Sequence, residues 1–182
     1  MRSFPLVIRN ALALLAVVLG TPASACWNQV AKRHGIPADL LYAIAMVESG
    51  LNSKAVNRSH FARTGSYDIG LMQINSRHLP RLARYGITEA SLFEPCTNLD
   101  VGAWLLSDLF SRRGLSWDSV GTYNAACTQL KGEECTRARA RYAWKVYRRL
   151  PGVSGNTSRR TALARPLEIA TAPMLLAVRV SP

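Results

Sequence analysis

Residues 37–50 read PADLLYAIAMVESG, and this stretch decides the fold. Leu41, Ile44 and Glu48 follow one another at spacings of three and four, so a helix places them on one face, flanked by Leu40 and Val47. A carboxylate on an apolar face is costly when ionised, unless a partner or a proton relieves it. Apolar surroundings favour the neutral acid and raise its pKa, which suits a proton donor working near neutral pH. Pro37 fits the first position of this helix, Asp39 adds a carboxylate to its first turn, and Gly50 supplies the freedom of a C-terminal cap. Glu48 is therefore expected in the last turn, at the lip of a surface. The plain alternative is an ordinary glutamate on a helix edge, and the flanking sequence decides between them.

Upstream, Cys26 to His34 reads as a short helix ended by Gly35. Before it, Arg2 and Arg9 precede an apolar run from Ala11 to Leu19, broken by Gly20 and Pro22 and closed by Ala23-Ser24-Ala25. That three-part pattern is a secretory signal peptide over residues 1–25, with cleavage expected after Ala25. The run is short for a membrane span; an uncleaved anchor, or lipid attachment at Cys26, are the alternatives. The apolar run from Pro173 to Val180 is also too short to span. The processed chain is expected to be exported to the periplasm and peripheral to the membrane at most.

The length suits one domain of about 150 residues with extensions. Cys26, Cys96, Cys127 and Cys135 form an even set, which in an exported chain indicates two disulfides with three pairings open. The close pair Cys127–Cys135 most naturally closes a local loop, leaving Cys26 to join Cys96. A four-cysteine zinc site is the rival, but Cys26 and Cys96 do not form a short knuckle. His34, His60 and His78 have no shared metal-site spacing, and no metal or other cofactor is expected. The formal charge is +12, from 23 Lys and Arg against 11 Asp and Glu, which would steer the protein toward a polyanion such as the cell wall, a membrane surface or nucleic acid.

Downstream, residues 51–66 read as a long excursion with a small hairpin around Phe61 to Tyr67. Residues 66–75, SYDIGLMQIN, read as a strand or turn leading into a helical turn at Leu71. Ser76 to Tyr85 continues as a short helix closed by Gly86. Thr97 reads as an N-cap with Asp100 three residues on, followed by Leu99, Ala103, Leu106 and Phe110 at helical spacing, the expected central helix. Ser116 to Tyr123 forms another helix. The last runs from about Thr136 to Arg149, with Ala140, Ala143, Trp144 and Tyr147 as its inner face. Trp104 and Trp144 read as core. Residues 151–182, rich in Ser, Thr, Ala, Pro and Arg, read as a flexible tail.

Glu48-Ser49, then Gly70-Leu71-Met72-Gln73-Ile74-Asn75, then Tyr123-Asn124-Ala125, then Tyr142 together resemble the soluble lytic transglycosylase domain. The nearest resemblance is to small exported enzymes of type III and type IV secretion, conjugation and pilus systems, which share a cysteine near the mature start, SYDIGLMQIN, and CTNL with VGAW. It covers residues 26–150. Each motif is weak alone; four in order are specific. The resemblance implies a mainly α (α+β), lysozyme-like fold of the goose type with a small β element. It implies Glu48 as the single catalytic acid, followed by Ser49 as in the family pattern. Met72 and Gln73 would line the substrate groove, Tyr123 and Asn124 the floor of the active site, and the Tyr142 hydroxyl would stand close to Glu48. The substrate implied is the peptidoglycan glycan strand. Two departures stand out: the usual Tyr-Asn-Ala-Gly is Tyr-Asn-Ala-Ala-Cys here, and Glu134 is separated from Thr136 by Cys135.

Glycosidic cleavage needs a proton for the leaving oxygen, and ordinary glycosidases add a second carboxylate. The resemblance implies instead that the acetamido group of N-acetylmuramic acid assists, and that Glu48 takes the proton of the C6 hydroxyl as a 1,6-anhydro ring closes. Intramolecular attack lets one carboxylate suffice. Asp68 is the candidate second carboxylate of a hydrolytic, lysozyme-type muramidase; otherwise it caps the turn near Gly70. A peptidoglycan-binding assembly protein without activity would use the same groove. The arginines of the last helix also allow nucleic-acid binding, but a solvated basic face gives that pattern and export opposes it, so no nucleic-acid partner is expected. The machinery expected beside it is a secretion, conjugation or pilus apparatus.

Overall fold

The computed structural model of the chain describes residues 23–153. The signal peptide expected over residues 1–25 lies almost wholly outside them, as does nearly all of the tail expected over 151–182. Among the described residues seven α-helices carry the fold: α1 (Ala23–His34), α2 (Ala38–Glu48), α3 (Phe61–Thr64), α4 (Leu79–Leu82), α5 (Pro95–Arg113), α6 (Trp117–Asn124) and α7 (Gly132–Tyr147). Between α2 and α5 a three-stranded antiparallel sheet is inserted, β1 (Val56–Asn57), β2 (Asp68–Ile69) and β3 (Ile74–Asn75), in the order β1-β2-β3. The fold is therefore mainly helical with a small β element.

The quoted stretch behaves as its periodicity requires. Leu40, Leu41, Ala43, Ile44 and Ala45 of α2 are buried, and Glu48 is the last residue of the helix. The buried α2 residues share one core with Leu99, Ala103 and Leu106 of α5, Val120 of α6, Val146 of α7, and Ile69, Met72, Ile74, Leu82 and Leu92. Two cross-links hold α1 to α5: the Cys26–Cys96 disulfide, and Asp100, which accepts from Arg33 at 2.8 Å and lies 2.9 Å from His34 Nε2. The second disulfide is Cys127–Cys135. Both bridges join the expected partners.

Five local expectations are corrected. Phe61 to Thr64 is a short helix ending at Gly65, set in the long connection between the antiparallel strands β1 and β2. A tighter hairpin follows, where Asp68 pairs with Asn75 and Ile69 with Ile74, and residues 70–73 form its turn rather than a helical turn. The helix expected over 76–85 is split into a 3-10 turn, α4 and a second 3-10 turn. The central helix starts at Pro95, a favoured first-turn residue, so Thr97 is inside it and caps nothing. The last helix starts at Gly132, four residues early, and its buried residues are Tyr142, Ala143 and Val146. Ala140 and Trp144 are exposed, because Tyr142 and Val146 turn the inner face by about one residue.

Candidate active site

A cleft of about 950 Å³ opens between the small sheet and the α6–α7 pair. Glu48, Asp68, Gln73, Tyr123 and Asn124 all line it, so residues spread over the chain converge on one surface. Glu48 reaches it from the end of α2, Asp68 and Gln73 from the hairpin, and Tyr123 and Asn124 from the last turn of α6.

Glu48 is half-buried. Tyr142, almost fully buried in α7, donates its hydroxyl to Glu48 Oε1. Burial is the largest influence on the carboxyl and raises its pKa to about 7; the Tyr142 hydrogen bond opposes this, the charge of Asp68 adds to it, and that of Lys145 opposes it. With one oxygen occupied as acceptor, the other is left to carry the proton. Burial also raises the Tyr142 and Tyr123 hydroxyls, and the Glu48 charge raises them further, so both stay protonated donors. Tyr123 donates to the Met72 carbonyl at 3.0 Å, fixing its ring against the hairpin turn.

Asp68 is held on two sides. Asn75 Nδ2 donates to its Oδ1 at 2.7 Å, and His60 Nε2 lies 3.6 Å from its Oδ2. It is thus bound across the hairpin by its register partner and does not cap the turn at Gly70. Gln73 has a positive φ of 49° and donates through Nε2 to the Gly70 carbonyl at 2.8 Å. Asn124 is exposed on the cleft, and its side-chain amide bonds to no group among the described residues.

Three expected site residues are not on the cleft lining: Tyr142, which is buried and reaches Glu48 from α7, Met72 and Ser49. Met72 is fully buried, lying where a Cβ on Gly102 of α5 would come within 2.8 Å of its side chain. It is a core residue, and the groove-lining expectation is corrected. Ser49 points its hydroxyl away, donating to the Leu71 carbonyl at 2.7 Å. It ties the end of α2 to the hairpin turn and does not line the cleft.

The residue that the sequence reading missed is Asn98, fully buried in α5. Its Oδ1 accepts from the Met72 N–H at 2.7 Å, and its Nδ2 donates to the Ile69 and Leu92 carbonyls at 2.9 and 2.7 Å. The hairpin turn is thereby bolted to the central helix. Gly70 has φ +75°, and a Cβ there would stand 2.3 Å from Asn98 Nδ2, so the glycine and the asparagine require each other. The available signal was a polar residue beside Leu99 and four before Gly102, on the helix's buried side. The second omission is the cleft wall of residues 125–130, which the Cys127–Cys135 bridge braces from behind; Arg139 fixes its start by donating to the Ala125 carbonyl at 3.1 Å.

The arrangement provides a half-buried acid at the edge of an elongated cleft, a tyrosine holding it, and a free amide on the cleft lining. Residues 25–144 match the family model described as Transglycosylase SLT domain. Invasion protein IagB of Salmonella typhimurium is 42% identical over 137 residues, which cover 75% of this chain and 83% of that protein. Protein IpgF of Shigella flexneri is 41% identical over 125 residues, covering 68% of this chain and 78% of that one. Among solved structures, an inactive mutant of the lytic transglycosylase Slt from Pseudomonas aeruginosa matches with a TM-score of 0.55 at 21% identity. That match covers 71% of this chain and 23% of the other, and it bears on the lysozyme-like fold alone.

Proposed function

The chain belongs to the transglycosylase SLT domain family, and from that premise we propose that it is a peptidoglycan lytic transglycosylase with Glu48 as its single catalytic acid. The observation that carries this reading is Glu48 itself: a carboxyl on the cleft, its pKa raised to about 7, with Tyr142 hydrogen-bonded to one oxygen. Such a group holds its proton at the edge of neutrality, where it can donate and then accept.

In this reading the glycan strand lies along the cleft. Glu48 gives its proton to the oxygen joining N-acetylmuramic acid to the next N-acetylglucosamine, and the C1–O bond breaks. The acetamido oxygen of the muramic residue holds C1 meanwhile, positioned by the free amide of Asn124. The Glu48 carboxylate then takes the C6 hydroxyl proton, O6 bonds to C1, and the acetamido group is released. The product is a 1,6-anhydro end, no water is consumed, and Glu48 regains its proton.

Asp68 supports a second reading. It lines the same cleft and its charge acts on Glu48, so a water held by it would make the enzyme a hydrolytic muramidase. Its engagement by Asn75 and His60 argues for a structural role instead. Mass spectrometry of the products separates the readings. Anhydro ends that vanish in Glu48→Gln support the transglycosylase, and reducing muramic ends support the hydrolase. Sacculus binding without any product would leave a peptidoglycan-binding assembly protein.

The cellular role follows from the same premise. Residues 1–25 would export the domain, residues 26–150 would act in the periplasm, and the wall would be opened locally for a secretion, conjugation or pilus apparatus. The relative named as an invasion protein supports this setting. Recovery of the protein from the periplasmic fraction with Cys26 as first residue tests the export step. A deletion strain that assembles its apparatus normally would overturn the role.

A further inference from the structure

The far end of α7 presents a surface outside the cleft lining, linked to it only through the charge of Lys145 on Glu48. Arg141, Trp144 and Arg148 recur at spacings of three and four, so they form one stripe on the solvent side of the helix. Trp144 is 57% exposed and stacks on Tyr147 with ring centroids 5.2 Å apart; Tyr147 in turn meets Trp117, 46% exposed, edge to face at 5.6 Å. Arg148 lies over the Trp144 ring, 5.9 Å from its centre. The same Arg148 forms one wall of a second cavity of about 400 Å³, completed by Lys145, Arg149, Met46 and Val47. That cavity shares no residue with the catalytic cleft.

Two properties of this surface select its occupant. First, it holds cations and no acid. The other arginines of α7 with acidic neighbours are engaged, Arg137 by Glu133 and Arg139 by Asp118, whereas Lys145, Arg148 and Arg149 make no salt bridge among the described residues, Lys145 acting on the Glu48 carboxyl only at longer range. Three cations around one small cavity favour an anion within it. Second, the large exposed apolar side chains it offers are indole and phenol, the aliphatic part being confined to the half-buried Met46 and Val47. Lysine is depleted in protein–protein interfaces, whereas tryptophan and tyrosine beside lysine and arginine settle at the headgroup level of a bilayer.

We propose that this end of α7 docks on an anionic phospholipid surface, with Lys145, Arg148 and Arg149 taking the lipid phosphates and Trp117, Trp144 and Tyr147 lying at headgroup depth. The surface would hold the enzyme against the membrane while the cleft, built from other residues, stays open to the glycan strand. The proposal does not depend on the reaction that Glu48 performs.

Vesicle co-sedimentation of the full processed chain tests it, using phosphatidylcholine alone and phosphatidylcholine mixed with phosphatidylglycerol. Binding to the mixed vesicles only is expected, with a blue shift of tryptophan emission that Trp144→Ala diminishes. Each cation near an anionic surface is worth about 1 kcal/mol, so Lys145→Gln/Arg149→Gln should lower partitioning on the order of 30-fold. Lys32→Gln/Arg84→Gln removes the same charge from other exposed positions and should change it by less than about 3-fold. All four positions are exposed, and equal melting temperatures would confirm that the variants fold. Equal losses in the two doubles would mean that net charge alone drives binding, and would overturn the proposal. So would indifference to phosphatidylglycerol, or a Lys145→Gln/Arg149→Gln defect seen with purified sacculi and not with vesicles.

Discussion

Tyr142 donates its hydroxyl to Glu48 Oε1 across the contact between α7 and α2, joining two residues 94 positions apart. Neither side chain has water as its main surrounding: Tyr142 is buried and Glu48 half-buried. The bond stabilises the ionised carboxylate, and burial opposes ionisation more strongly, so the pKa settles at about 7.

A pH profile checks that balance. If the protonated acid starts the reaction, kcat/KM falls as pH rises through about 7. Tyr142→Phe removes the influence that lowers the Glu48 pKa, so the falling limb should move to higher pH while kcat drops by roughly 10- to 100-fold. The measurement is anhydromuropeptide release against pH. A limb that stays in place in Tyr142→Phe would sink the assignment of that limb to Glu48.

Glu48→Gln carries a second, independent signature in stability. The carboxyl has a folded pKa of about 7 against a model value of 4.5. Between those values the folded state holds more protons than the unfolded state, so wild-type stability declines as pH rises through this window. Glutamine is spared that decline, and its amide oxygen can still accept from Tyr142. The variant should match the wild type near pH 4 and exceed it by ~1–3 kcal/mol at pH 8, at most. Urea titrations at the two pH values measure this. Equal stability at pH 8 would mean that the carboxyl is not held neutral by its surroundings.

The parts of this fold that were legible in the sequence are those where one physical rule acts alone. The α2 face followed from spacing, because Leu41 and Ile44 have no competing role. The disulfides followed from their spacing and the loop they close. The hairpin turn was misread because long-range contacts override local signals there, and the start of α5 because Thr97 reads as a cap although Pro95 already opens the helix. Gln73 adopts a positive φ, and Asn98, a residue that reads locally as polar surface, is buried to satisfy three backbone groups of a distant turn. Met72 was placed on the groove by motif, but the close approach of Gly102 draws it into the core. Trp144 was expected inside because it is large and apolar; its neighbours Tyr142, Ala143 and Val146 occupy the inner face.

Asn98→Ala tests the bolt between α5 and the hairpin. It leaves the Met72 N–H and the Ile69 and Leu92 carbonyls without their buried partner. A loss of ~2–4 kcal/mol is expected by denaturant unfolding. Activity at low temperature should fall as well, because Asp68 precedes the turn and Gln73 ends it, and both line the cleft. A loss below ~1 kcal/mol would mean that water replaces the asparagine readily.

The two bridges should differ in what they protect. Cys26–Cys96 closes a loop with a sequence separation of 70, Cys127–Cys135 one of 8. Loop-closure entropy gives ~4 kcal/mol for the first and ~2–3 kcal/mol for the second. Cys26→Ser/Cys96→Ser should therefore lower Tm more than Cys127→Ser/Cys135→Ser. The second pair braces residues 125–130 on the cleft wall, so its loss should instead raise KM for sacculi. The opposite ranking of Tm would contradict the loop-length argument.

Asp68→Asn isolates the cleft carboxylate whose charge acts on Glu48. The Asp68 charge raises the pKa of Glu48, so neutralising it must lower that pKa and shift the falling limb of the profile to lower pH. Asparagine keeps an oxygen to accept from Asn75, which preserves the hairpin, so the shift can be read without unfolding. In the transglycosylase reading the product stays anhydro and kcat at the new optimum changes less than about 10-fold, since only electrostatics is altered. In the hydrolase reading Asp68 holds the attacking water, and reducing-end products disappear with a fall in kcat of about 100-fold or more. The limb position reports the charge and the product ratio reports the chemistry, so this one substitution separates an acid tuned by its neighbour from a pair of carboxylates sharing the reaction.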